Sequence, residues 1–296
     1  VISNVMDNSS AFWVVNSLFV FALSVFCAGV LIPQILLISF RKRLFDVPDE
    51  RKIHQGVVPR LGGIAFKPVV FFSVALALGL NMLLGYGQLL GNIGSESRPL
   101  AFGFCTIMML YLVGMADDLI GIRYRVKFAI QIICGLLVIA GGLWINNLHG
   151  LLFIHALLEW IGYPITLFAV VFIINAINLI DGIDGLASGL CGVAMLFYGL
   201  VFFIIGEYIY ALLAFATLGV LVPFFYYNVF GDPAKKNKIF MGDTGSLTIG
   251  MMTCILSLKL LNGFPVNPSM QQPNAFFLAY SPLIIPCFDV VRVYLH

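Results

Sequence analysis

Charged side chains are scarce in this chain. Only 10% of its 296 residues are Asp, Glu, Lys or Arg, whereas soluble domains carry about 25%. Hydrophobic residues make up 61%, and the mean hydropathy is +1.03. A soluble core of this length could not hide so much apolar surface, so lipid must be the solvent. No CxxC is present, and the six cysteines (Cys27, Cys105, Cys134, Cys191, Cys254 and Cys287) sit inside apolar runs away from histidine. That placement argues against a disulfide framework or a thiolate metal site. Neither a P-loop nor a GxGxxG occurs, which excludes those two ways of holding a nucleotide. No cleavable signal peptide is visible, because the first apolar run, 11–40, is too long for one. The net charge of +2 says little by itself, and no nucleic-acid partner is expected.

What the chain does have is apolar runs of spanning length, roughly 20 residues each. Nine are expected, near 12–40, 63–84, 99–116, 127–145, 161–177, 186–206, 208–228, 245–262 and 275–295. The short apolar stretch 148–158 reads as interfacial or re-entrant, and Pro223 and Pro282 are expected to kink their helices. The predicted fold is therefore all-α, one polytopic integral membrane domain over 1–296. Alternating spans place 14 of the 16 basic residues on one face, with Arg98 opposite and Lys259 inside a helix. The positive-inside rule makes that face cytoplasmic, with the N-terminus outside and residue 296 inside.

The polar motifs gather on the same face. Asp117-Asp118 ends the third span, and adjacent carboxylates there repel and cost desolvation energy unless a cation or phosphate-bearing partner relieves them. A second reading makes them solvated acids near Arg123 and Arg125. In Asn175-Ala-Ile-Asn178-Leu-Ile-Asp181-Gly-Ile-Asp184-Gly, the two amides share a helix face, as do the two acids if the helix continues. Polar groups satisfying a broken helix end are the alternative. Phe240-Met-Gly-Asp243-Thr-Gly-Ser246 opens the eighth span; its carboxylate suits a phosphate–Mg²⁺ assembly or an N-cap. A loop from Val47 to Gly63, carrying Lys52, His54 and Arg60, interleaves base, Pro and Gly and so holds a defined shape.

These four motifs, in this order on one face, resemble the polyprenyl-phosphate hexosamine-1-phosphate transferases, and Arg51 to Gly63 looks closer to the GlcNAc-1-phosphate branch than to the muramoyl-pentapeptide branch. The resemblance covers essentially the whole chain. It implies a bacterial inner-membrane enzyme with a cytoplasmic active site, acting early in cell-envelope polysaccharide synthesis. Its substrates would be a UDP-sugar and undecaprenyl phosphate, and its cofactor Mg²⁺, with Mn²⁺ as a substitute. It implies that Asp243 ligates the metal with Asn178, and that Asp184 and Asn228 recognise the uracil end. Asp117 and Asp118 would handle lipid phosphate or metal, and Lys52 and Lys127 would steady phosphates. His54, Asn175, Asp181 and Phe240 complete the expected substrate-binding set. The family also implies ten or eleven spans at full length and a His-rich cytoplasmic loop beyond residue 296, so C-terminal truncation is expected. A homodimer is compatible with it.

The expected reaction is attack by a lipid-phosphate oxygen on the β-phosphorus of the UDP-sugar, with UMP leaving. A phosphomonoester has a second pKa of about 6, so the acceptor is already mostly dianionic at neutral pH and needs little help from a base. Direct attack is therefore preferred to a phospho-aspartate on Asp117 or Asp118. The rival class is a secondary transporter, but transporter sites lie near the bilayer midplane, whereas these acids cluster at span ends.

Overall fold

The structure, a computed structural model, describes residues 2–42, 44, 58–87, 93–154, 156–263 and 275–295. Among these the fold is helical, with one isolated antiparallel bridge between Asn147 and Ala156 and no strand. The helices are α1 (Ile2–Lys42), α2 (Phe66–Leu83), α3 (Ile93–Ile120), α4 (Tyr124–Ala140), α5 (Glu159–Ile180), α6 (Leu186–Ile205), α7 (Tyr208–Val229), α8 (Gly242–Gly263), α9 (Ala275–Tyr280) and α10 (Ile284–Leu295).

Among the described residues eight segments are long and apolar enough to cross a membrane, one fewer than the sequence suggests. The difference is α4, whose 17 residues reach roughly 26 Å at 1.5 Å per residue. Gly141 and Gly142 end it early, Gly142 at φ +93, so 141–145 leave the helix. Even so, α4 connects both ends of the bundle. Lys127 near its start bonds Asp117 near the end of α3, while the Ala140 carbonyl at its end accepts from Arg98 near the start of α3.

The last crossing, Ala275–Val293, is not one helix. A 3₁₀ turn over Ser281–Leu283 divides it into α9 and α10, because Pro282 cannot donate to a continuing ladder. Pro223, in contrast, is accommodated within the unbroken α7. The stretch around 148–158 does not span: a 3₁₀ turn at Leu151–Phe153 and the Asn147–Ala156 bridge fold it at the bundle end.

The centre of the bundle is α8. All of its most apolar window is buried, although its mean hydropathy of 1.4 is the lowest of the eight. A helix enclosed by protein need not satisfy lipid, and its hydroxyls return to its own backbone: Thr248 to the Thr244 carbonyl, Thr253 to Ile249 and Ser257 to Cys254. Small residues then let neighbours close in. A methyl group on Gly250 would lie 3.1 Å from the Ile174 Cα of α5.

At the end of α8 remote from the motifs, Lys259 pairs with Glu96 at 2.8 Å and Glu207 at 3.1 Å, and Tyr210 donates to Glu96 at 2.8 Å. This cluster fixes α3, α7 and α8 to one another. Removing one partner of a buried pair strands the others, typically at about 3–5 kcal/mol. Lys259→Ala should therefore lower the thermal-unfolding midpoint in detergent sharply, whereas Lys259→Arg should retain most of it. An unchanged midpoint in the alanine variant would mean the cluster does not hold the helices together.

Candidate active site

Four helix ends converge where the sequence motifs lie. α5 stops at Ile180, with Asp181 as its C-cap, and Gly185 at φ +75 opens α6. The helix does not continue through the second motif, so Asp181 and Asp184 do not share a face. They part company, Asp181 with the central acids and Asp184 toward Lys238.

Asp243 lies in the first turn of α8, but it does not cap that helix. One carboxylate oxygen accepts from Lys127 Nζ at 2.7 Å, the other from Asn178 Nδ2 at 3.1 Å. Asn178 also donates to Ser246 Oγ at 2.8 Å. The cap comes from another helix: Asp118 accepts from the backbone N–H groups of Asp243 and Thr244, both at 2.8 Å, and from the Thr244 hydroxyl at 2.5 Å. An anion at a helix N-terminus satisfies orphan donors and the helix dipole together. Gly242 makes the approach possible. Its φ is +72, and a methyl group there would lie 2.7 Å from an Asp118 oxygen and 2.1 Å from the Arg60 carbonyl. Gly114 does the same for α3, since a methyl there would meet the Asp243 carbonyl at 2.6 Å.

The two adjacent acids thus have separate tasks. Asp117 accepts from the Ile122 N–H at 2.5 Å and from Lys127 Nζ at 3.0 Å, which seats the lysine between Asp117 and Asp243. Asp181 lies deeper; burial first, then the charges of Asp243 and Asp118, push its carboxyl up to about 8, while the Gly242 N–H and Arg60 act against the shift.

Beside Asp243 opens a cavity of about 540 Å³ whose lining includes Lys127, Phe128, Gln131, Asn175, Asn178 and Asp243. Asn175 and the buried Gln131 form a reciprocal amide pair on one wall, at 2.7 and 3.3 Å. The size suits a small-molecule or headgroup site.

A neighbouring group of expected residues is held around 228–240. Asp184 pairs with Lys238 at 2.5 Å. Asn228 accepts from the Gly185 N–H at 2.7 Å and donates to the Ile239 carbonyl at 2.9 Å, clasping two loops together. Phe240 pairs its backbone with Pro59 and Gly62, and its ring lies 6.0 Å from Lys238 Nζ. Lys52 and His54 lie outside the described residues. Gln131 and Lys238 were not among the expected site residues. A lone amide one turn after Lys127 in an apolar run, and the last base before Phe240, were the available signals.

Among the described residues no group of three or more His, Cys, Asp or Glu side chains converges to enclose a metal. The arrangement nevertheless fits a hard divalent cation completed by substrate oxygens. Magnesium is usually held by one or two carboxylates plus phosphates, and Asp243 borders the cavity with the Asn178 amide beside it.

A family model described as "Glycosyl transferase family 4" matches residues 100–261. The chain is 31% identical over 274 residues to a "Probable undecaprenyl-phosphate N-acetylglucosaminyl 1-phosphate transferase" of Bacillus subtilis, covering 91% of this chain and 68% of that protein. It is 32% identical over 266 residues to an "Undecaprenyl-phosphate alpha-N-acetylglucosaminyl 1-phosphate transferase" of Yersinia pestis, covering 86% and 64%. A protein of the same name from Escherichia coli K12 is 32% identical over 255 residues, covering 84% and 62%. The chain therefore spans about two thirds of the length of these relatives. The family match includes Asp117, Asp118, Lys127, Asn178 and Asp243, the residues that the bundle brings together, and the chain belongs to glycosyl transferase family 4.

Proposed function

We propose that this membrane transferase moves N-acetylglucosamine 1-phosphate from UDP-N-acetylglucosamine onto undecaprenyl phosphate, releasing UMP, with its site on the cytoplasmic face. The observation that carries the reading is the Asp243 carboxylate held between Lys127 and Asn178, beside a cavity at one end of a membrane bundle. The relatives' names supply undecaprenyl phosphate and the N-acetylglucosaminyl 1-phosphate group, the UDP donor is what the family implies, and the crowding of basic residues at that end supports the orientation.

Phosphoryl transfer needs positioning and charge neutralisation more than covalent chemistry from the protein. Asp243 and Asn178 are the residues that would hold magnesium, and the chemistry it supplies there is neutralisation of charge on the departing UMP. Lys127, seated between two acids at the cavity wall, steadies phosphate oxygens. Asp184, Lys238 and Phe240, held by the Asn228 clasp, receive the nucleotide end. The acceptor phosphate approaches the β-phosphorus from the cavity between α4 and α5. Asp117 and Asp118 organise the site: Asp117 holds Lys127 and Asp118 caps α8, and the dianionic acceptor phosphate needs no intermediate nucleophile.

The test uses membrane vesicles of defined orientation. UDP-N-acetylglucosamine does not cross the bilayer, so inside-out vesicles should release UMP on addition of the sugar nucleotide, undecaprenyl phosphate and Mg²⁺. Right-side-out vesicles should release none until opened with detergent. Activity confined to right-side-out vesicles would reverse the orientation, and no UMP release in either would reject the reaction.

A further inference from the structure

We propose that the cleft between α2 and α3 binds the phosphate of an anionic membrane lipid on Lys67, at a site separate from the Asp243 cavity. Lys67 is the second residue of α2, inside a candidate span. Its ammonium lies 5.1 Å from the ring centre of Tyr111 and 5.3 Å from that of Phe71, with the Met108 sulfur at 2.5 Å. Among the described residues no carboxylate pairs with it. Each of the other lysines inside the bundle has one: Lys127 meets Asp117 and Asp243, Lys238 meets Asp184, and Lys259 meets Glu96 and Glu207.

The depth makes the want of an anion among the described residues matter. Tyr111 precedes Asp117 by six residues on α3, which puts the cleft roughly 9 Å further into the bundle than the acids. A lone ammonium costs about 2.5–3.5 kcal/mol at the centre of a spanning helix by insertion measurements, and less near its end, where Lys67 stands. Two aromatic faces return part of this, about 0.5–2 kcal/mol for a ring contact. They offer no strong acceptor to its three N–H donors, and a thioether is a weak one. The Tyr111 hydroxyl is already donating to the Ile64 carbonyl at 3.1 Å.

The two helices also expose apolar side chains on this side, as lipid-facing spans do. Phe72, Phe104, Met108 and Leu112 are all exposed around the cleft, and Phe71 and Phe104 meet edge to face across it at 4.9 Å. A ligand there arrives from lipid, carries an apolar tail against those side chains and presents an anionic acceptor to Lys67. A lipid phosphate has all three properties. The same chemistry is offered by a phospholipid such as phosphatidylglycerol and by a polyprenyl phosphate.

Native mass spectrometry of the detergent-purified chain separates these sources. Phosphatidylglycerol, undecaprenyl phosphate and phosphatidylcholine are added in turn to wild type, Lys67→Met and Lys67→Arg. Lys67→Met should bind one anionic lipid fewer per chain, with about tenfold weaker retention, the worth of one charge-assisted hydrogen bond. Lys67→Arg should keep it, and phosphatidylcholine adducts should not change. A loss confined to undecaprenyl phosphate assigns the site to the acceptor lipid, and a loss with phosphatidylglycerol assigns it to a resident phospholipid. Equal retention of both anionic lipids by wild type and a monodisperse Lys67→Met variant would overturn the proposal, leaving Lys67 as a lysine that merely reaches the interface. The readout needs no turnover, so it stands apart from the transferase reading.

Discussion

Asp243→Ala should reduce UMP release by at least about a thousandfold, equivalent to roughly 4 kcal/mol of transition-state stabilisation. The variant removes the carboxylate that faces Lys127, Asn178 and the cavity together. Its backbone N–H remains, so Asp118 can still cap α8 and the bundle should stay folded. Detergent extraction, a monodisperse elution profile and an unfolding midpoint near the wild-type value are therefore expected alongside the lost rate. Asp243→Asn should be almost as slow, because the amide keeps the shape but not the negative charge. Near-normal Mg²⁺-dependent turnover in either variant would reduce Asp243 to a structural residue of the first turn.

Asp118→Ala should slow turnover by about a hundredfold through a different route, approximately 2.7 kcal/mol at the barrier. Asp118 receives three hydrogen bonds from Asp243 and Thr244. Without it, two backbone donors and a hydroxyl lose their partner at the start of the central helix, and the loss of a capping side chain alone costs about 0.5–2 kcal/mol. The first turn of α8 should loosen and Asp243 should drift from Lys127 and Asn178. The expected signature is a fall in kcat with a lowered unfolding midpoint and a small change in KM for the UDP-sugar. Asp118→Asn keeps an acceptor oxygen for part of the cap and should lose only about tenfold. A large drop in rate for the asparagine variant with an unchanged midpoint would point instead to chemistry on the Asp118 carboxylate itself.

How much of this was legible in the sequence depended on the range of each interaction. Span lengths, basic asymmetry and the four polar motifs are local properties; they located the helices, with one span more than the described residues show, and named the motif residues that the bundle brings together. The motif Asn178 to Asp184 was legible as a helix end, but the fates of its acids were not. The helix ends at Ile180 and the chain turns through 181–185, so a helical spacing rule fails for Asp181 and Asp184. Asp117 and Asp118 read as one acidic pair because they are neighbours. Their separation into a lysine holder and a cap for another helix depends on α8, 125 residues away. The Lys259 cluster was hidden for the same reason, since Glu96 and Glu207 lie far from it in the chain. Gly114 and Gly242 stand beside the acidic motifs in the sequence, but only the packing shows what their missing side chains admit.

The most direct test of the account follows the β-phosphorus. UDP-N-acetylglucosamine carrying ³²P at the β-phosphate is mixed with purified enzyme and Mg²⁺, first without and then with undecaprenyl phosphate. Direct transfer at the Asp243 site predicts no UMP and no label on the protein in the first stage. In the second, stoichiometric UMP and label in the organic phase as a sugar-bearing lipid pyrophosphate should appear together. UMP released before any lipid is added, with ³²P retained on the protein and lost in Asp117→Asn or Asp118→Asn, would contradict it.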